Sequence, residues 1–236
     1  GDGFDDAGLT TESGVQIFYG GSYLTGDSNQ AVQSVLGTQG ETLLADAIKT
    51  PSNAQGADRL IGNAGDDTLV GNGGADVLLG GAGDDLLQVG FVDNEHGAIV
   101  DFFKIDGGTG VDTLEFTAAA TMDFTQLRND LVENVEIFKL GAGNQTITLN
   151  HLDVLSITGD ANTAISNPTY QKGHVLVVDG TAGDNLYLTG GWNTTAVAQV
   201  NVAGFGANSF SVYQHGSDNL YVAISDGIDT ASRHIS

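Results

Sequence analysis

The chain has 236 residues, with 35 Gly, no Cys, and 30 acidic against 7 basic side chains for a formal net charge of −23. So acidic a molecule repels phosphate backbones and anionic lipid surfaces, which excludes nucleic acid as a partner. Apolar residues make up 40%, too many for a disordered acidic tail, and the missing Cys leave neither disulfides nor thiolate zinc sites to staple the fold. The chain therefore folds at least conditionally. Its longest apolar runs, such as 175–178, fall far short of the roughly 18 residues that span a bilayer, so no membrane insertion is expected. A start at Gly1 without Met or leader is expected of an excerpt from something longer.

In chain order, residues 15–19 predict a short strand. Residues 29–50 carry apolar side chains (Ala31, Val35, Leu43, Leu44, Ala47, Ile48) at the spacing of an amphipathic helix interrupted near 37–40 and ended by Pro51. From Asn53 to Gln88 four nine-residue units follow without insertion: NAQGADRLI, GNAGDDTLV, GNGGADVLL and GGAGDDLLQ. Asp58, Asp67, Asp76 and Asp85 share one slot, and Leu60, Leu69, Leu78 and Leu87 another. Asp93, Glu95 and His96 after the array form a loop or an end cation site. An isolated copy, GGTGVDTLE, puts Asp112 and Leu114 in the same slots, and a looser echo, DGTAGDNLYL, begins at Asp179; both are expected to flank the array without extending it. Beyond it, alternating runs at 114–116, 135–140, 146–149, 175–178, 185–188, 197–202, 210–213 and 220–224 predict strands, and 125–131 and 151–155 single helical turns. The expected architecture is all-β: a lead-in with minor helix at 1–52, a short parallel β-roll at 53–90, and a β-rich domain of solenoid or sandwich type at 91–236.

In each unit the Gly-rich half turns and the Leu-bearing half forms a strand, so two units make one coil and Asp residues eighteen apart stack. Coils lie about 4.7–4.9 Å apart. Carboxylates at that distance repel by roughly 3 kcal/mol at an effective dielectric near 20, which a cation would relieve. Carboxylates with turn carbonyls are hard oxygen ligands in a flexible set, which favours calcium over zinc, copper or magnesium. Gly-Asp pairs also mark plain β-turns, but four in strict register with their Leu point to ligands. The candidate ligands are Asp58, Asp67, Asp76 and Asp85, with Asp84 and Asp112. Gly62, Ala64, Gly71, Gly73, Gly80 and Ala82 add the turn positions.

GNAGDDTLV, GNGGADVLL and GGAGDDLLQ resemble the repeats-in-toxin (RTX) nonapeptide, GGxGxDxUx with U apolar. That resemblance implies a parallel β-roll with calcium in its turns, in a protein that leaves bacteria unfolded through type I secretion machinery. The first unit departs from the pattern at Asn53, Ala54 and Arg59, which implies a weak site or a cap there. Asn63 and Asn72 stand where Gly is expected, a replacement that left-handed turns tolerate. The order DGGTGVDTLEF, DFTQL, NVEIFKLGAGNQTITLNHLDVL, LVVDGTAGDNLYLTGGW, VYQHGSDNLYVAI resembles the region after the nonapeptides in very large RTX adhesins of the biofilm and surface-attachment type. It implies a secreted or cell-surface location next to the secretion signal.

No GxSxG, HExxH, Walker loop or dinucleotide fingerprint occurs, and the five His are scattered; no enzymatic activity is expected. The leading expectation is a calcium-dependent adhesin module that folds after export. The alternatives are a calcium-dependent module binding a host or surface glycan or peptide, with Trp192, Asn193, Asp179 and Asp184 as contacts, and a fragment of a secreted enzyme. Trp192 follows two Gly, so it is either a stacking platform on a loop or a strand-end core residue.

Overall fold

Inward Leu alternating with turn-forming Gly makes each nonapeptide one strand plus one turn, and the computed structural model shows how the strands pair. It describes residues 9–10, 16–19, 33–36, 42–44, 59–71, 76–90, 102–119, 121–141, 143–159, 162–171, 173–193, 196, 198–206 and 209–236. The chain divides into two units, Gly1–Asp112 and Thr113–Ser236.

Unit 1 contains β1 (Leu9–Thr10), β2 (Gln16–Tyr19), β3 (Gln33–Leu36), β4 (Thr42–Leu44), β5 (Arg59–Ala64), β6 (Thr68–Val70), β7 (Asp76–Ala82), β8 (Leu86–Val89) and β9 (Phe102–Thr109). β1, β2 and β3 pair antiparallel. β3, β5, β7 and β9 then pair parallel, and so do β4, β6 and β8. Leu60 lies opposite Leu78 and Leu69 opposite Leu87, the eighteen-residue coil that the repeats predict. Leu60, Leu69, Leu78, Leu87 and Ile105 are completely buried. Burying such a side chain is worth about 1.5–3 kcal/mol, so the Leu column is the main apolar support of the coils.

Two expectations are corrected here. Within the helix expected over 29–50, the described residues are instead the strands β3 and β4, with Val35 opposite Leu60 and Leu43 opposite Leu69. Apolar spacing interrupted by Gly37 and Gly40 suited a broken helix, but pairing with the repeat strands decides the conformation, because a short helix gains little until its apolar face is buried. The roll also does not stop with the array. β9 pairs with β7, with Leu78 opposite Ile105, so the coil widens from eighteen to twenty-seven residues and the isolated copy joins the stack.

Unit 2 contains β10 (Thr113–Phe116), β11 (Thr121–Asp123), β12 (Val132–Glu133), β13 (Ile137–Leu140), β14 (Thr146–Asn150), α1 (His151–Ile157), β15 (His174–Asp179), β16 (Asn185–Thr189), β17 (Ala198–Asn201), β18 (Ser209–Gln214), β19 (Leu220–Ser225) and β20 (Arg233–Ile235). β10, β13, β15 and β19 form one parallel set, and β11, β14, β16 and β20 another. β18 and β17 add antiparallel to β19, which occupies the edge that an exposed parallel strand would leave open. The expected turn at 151–155 is α1, started by a capping box in which the Asn150 side chain accepts from Leu152 N and Asp153 N while Asp153 Oδ2 accepts from Asn150 N. The turn expected at 125–131 is only the 3-10 turn Phe124–Gln126. Among the described residues no helix is long and apolar enough to cross a membrane.

Candidate metal centre

Stacked turns bring the repeat carboxylates into a column. Asp85 Oδ1 accepts from Asp67 N at 2.8 Å, and Asp112 Oδ1 accepts from Asp85 N at 2.8 Å. Asp67, Asp85 and Asp112 are all buried. A second, outer column runs beside it: Asp66 Oδ1 accepts from Asp84 N at 2.9 Å, and Asp84 Oδ1 from Val111 N at 2.8 Å, both exposed. The turns superpose because left-handed residues stack in register, Asn63 (φ 77°) on Gly81 on Gly108, and Gly65 on Gly83 on Gly110. Asn63 thus takes the conformation that its replacement of Gly requires.

Asp85 and Asp112 each use Oδ1 in that backbone ladder. The Oδ2 atoms of Asp67, Asp85 and Asp112 are buried and take no hydrogen bond. A buried anionic oxygen left this way is expensive, and a cation is the usual remedy. Carbonyls converge on the same places. A Cβ at Gly80 would stand 2.5 Å from the Gly107 carbonyl oxygen and closer still to Asp85 Oδ2, and one at Gly62 would stand 2.5 Å from Asp67 Oδ2 and closer still to the Gly80 carbonyl. On the other row of turns, a Cβ at Gly71 would lie 3.0 Å from Asp76 Oδ2 and 3.5 Å from the Gln88 carbonyl. The donors gathered here are carboxylate and main-chain carbonyl oxygens. That donor set fits calcium.

The crowding gives a first prediction. Gly80→Ala forces a methyl between two of these oxygens, and overpacking costs about 1–3 kcal/mol, so calcium should bind roughly tenfold more weakly or worse. A calcium titration of the variant checks this, and an unchanged midpoint contradicts it.

Burial raises the Asp85 carboxyl to about 6; the Asp67 backbone hydrogen bond pulls it down, and the charges of Asp67, Asp66 and Asp84 push it further up. The folded state therefore holds this proton more tightly than the unfolded chain, whose value is near 3.8. Its stabilising effect is complete below pH ~4 and lost as pH rises through about 6, at most about 3 kcal/mol in the metal-free roll. In chelator the melting temperature of the roll should fall across that window. In calcium it should rise, because proton and cation compete for one oxygen. Melts at pH 4 to 7 followed by circular dichroism decide this, and equal slopes in both buffers refute it.

Asp58, Gly73, Asp93, Glu95 and His96 lie outside the described residues. Asp84, expected as a ligand, is an exposed member of the outer ladder. The Ala82 carbonyl accepts from Gly65 N at 2.7 Å, and Ala64 pairs with Ala82. Gly107, which the sequence reading missed, supplies a converging carbonyl; its GGTGVD copy was visible, but its stacking on Gly80 depends on the widened coil. Asp184 is buried with both oxygens hydrogen-bonded, Oδ1 from Gln145 N and Oδ2 from Thr181 N and Oγ1. Burial raises the Asp179 carboxyl while a Ser225 hydrogen bond pulls it down. Of the two places expected for Trp192, it takes the core one and not the stacking platform: it is 3% exposed, in an edge-to-face contact with His215 whose ring centroids lie 5.5 Å apart. Gly190 and Gly191, both at positive φ, turn the chain so that Gly191 N and Trp192 N donate to the Ser236 carbonyl and the indole packs inward. Asn193 Nδ2 donates to the Gly216 carbonyl at 3.2 Å, in the turn between β18 and β19.

Residues 53–87 match the family model of the RTX calcium-binding nonapeptide repeat in four copies. Residues 53–87 are therefore an array of RTX-type nonapeptides. RTX repeats imply calcium binding in a secreted protein. The match ends at residue 87, whereas the buried Asp column runs on to Asp112. Neither the curated proteins nor the solved structures give a match.

Proposed function

We propose that the chain is a non-enzymatic, calcium-folded module of a bacterial surface adhesin exported by type I secretion. The observation that carries the calcium part is Asp85 Oδ2, buried and without a hydrogen bond beside a converging Gly107 carbonyl. Asp67 Oδ2 with the Gly80 carbonyl, and Asp85 Oδ2 with the Gly107 carbonyl, would hold calcium, and Asp76 with the Gln88 carbonyl would do so on the opposite row. When bound, the ion cancels the repulsion of stacked carboxylates. Where calcium is scarce, as in the cytosol, the array of a chain with net charge −23 stays open and exportable, and it closes outside.

The adhesin part rests on the order of motifs after the array and on the absence from the sequence of a nucleophile or catalytic zinc motif. Burial of Trp192 takes the Trp192 contact from the glycan- or peptide-binding alternative, which is left with a contact through calcium. The test has two arms. Purified chain in millimolar calcium should turn over no polysaccharide, ester or peptide substrate, and cells displaying the parent protein should attach to surfaces only while the Asp column is intact. Turnover abolished by one acidic or His substitution that leaves folding unchanged would refute the non-enzymatic reading, and attachment indifferent to the column would refute the adhesin reading.

A further inference from the structure

Unit 2 has buried polar turns of its own, and they are satisfied differently. Gln145 is completely buried; its backbone N donates to Asp184 Oδ1 at 2.8 Å and its Nε2 donates to the Ala118 carbonyl at 2.7 Å. Asp184, also completely buried, accepts through Oδ2 from Thr181 N at 2.8 Å and Thr181 Oγ1 at 3.3 Å. The backbone-to-carboxylate bond repeats the one from Asp85 N to Asp112, and Gly143, two residues before Gln145, has φ 105° as Gly83, two residues before Asp85, has φ 138°. One position differs in kind. Where Asp85 Oδ2 takes no hydrogen bond, Asp184 Oδ2 takes two, and a neutral amide stands at the next rung instead of a second carboxylate.

We propose that the Gln145–Asp184 turn of unit 2 replaces the cation with hydrogen-bond donors, so that unit 2 stays folded without calcium and the calcium switch is confined to unit 1. The rung beside Asp184 is an amide rather than a carboxylate, the like charge near it is that of Asp179, which a Ser225 hydrogen bond and the Lys139 charge offset, and three donors hold Asp184 in place, each hydrogen bond to a charged group being among the stronger kinds. Unit 2 also brings a core of its own, with Phe116, Phe138, Phe210, Ile147, Leu186 and Val222 completely buried. The only Trp in the sequence, Trp192, is buried in this unit and reports its state directly.

The inference rests on the calcium reading only for unit 1, and one experiment separates the two. Hydrogen exchange by mass spectrometry is run on the full chain in chelator and at calcium about a hundred times its Kd, with Trp192 emission followed in parallel. Amides of 146–150, 174–179, 185–189 and 220–225 should keep the same protection in both buffers, and the emission maximum should not move. Amides of 59–64 and 76–82 should gain about a hundredfold protection with calcium. Loss of unit 2 protection and a red-shifted Trp192 in chelator overturn the inference while leaving the calcium reading standing. Protection indifferent to calcium throughout the chain overturns the calcium reading and leaves unit 2 metal-independent. Gln145→Ala should lower unit 2 protection equally in both buffers; a loss that calcium restores would refute the assignment.

Discussion

Withdrawing calcium should abolish the β-structure of residues 59–112 and expand the chain, with part of the far-UV signal retained by unit 2. Asp67, Asp85 and Asp112 stack at successive coils, and each adjacent pair of ionised carboxylates costs roughly 3 kcal/mol at an effective dielectric near 20. Two such pairs approach the whole stability of an ordinary domain, about 5–15 kcal/mol. Calcium at a hundred times its Kd returns about 2.7 kcal/mol per site in addition to removing that repulsion, so several sites make the transition steep. Circular dichroism and hydrodynamic radius in chelator and in millimolar calcium measure it. Identical spectra and radii in the two buffers would sink the ladder argument.

The array was legible because strand plus turn fixes its period at nine residues, so Asp and Leu slots could be read without knowing any contact. The stack beyond it was not. Asp112 was visible as a motif copy, but the coil that brings it under Asp85 is twenty-seven residues long, and no local signal gives the length of an insertion. The same holds for Gln145 and Asp184, thirty-nine residues apart. The segment at 29–50 misled because Val35 and Leu43 suit helical and coil spacing equally, and only their partners Leu60 and Leu69 discriminate. Strands after residue 113 were mostly legible from alternation, since one face of each packs inward; β20 was missed because Arg233, His234 and Ile235 show no apolar alternation. Trp192 after two Gly left a loop platform and a strand-end core place both open, and the positive φ of Gly190 and Gly191 folds the indole in.

Asp85→Asn should change sign with calcium. The substitution keeps an oxygen to accept from Asp67 N and removes the charge that burial and the neighbouring carboxylates oppose. Its new amide hydrogens can be aimed at the Gly107 carbonyl, which converges with Asp85 Oδ2 on the same point. In chelator at pH 7 the variant roll should therefore be more stable than wild type, by up to about 3 kcal/mol, the free energy equivalent to holding that carboxyl near 6 when its unfolded value is near 3.8. In calcium the order should invert, because the ion loses an anionic ligand and truncating one partner of a buried charge pair costs about 2–5 kcal/mol. Asp85→Ala separates the two effects: it also strips the acceptor from Asp67 N, leaving a buried N–H that costs about 1–3 kcal/mol, and should be worse than Asn in both buffers. Thermal or urea unfolding of the three proteins in calcium, and the share of roll β-structure each keeps in chelator, give the order in both buffers. If Asp85→Asn destabilises equally in both buffers, the carboxylate is a hydrogen-bond acceptor and nothing more, and the cation does not sit between the turns of Gly80 and Gly107.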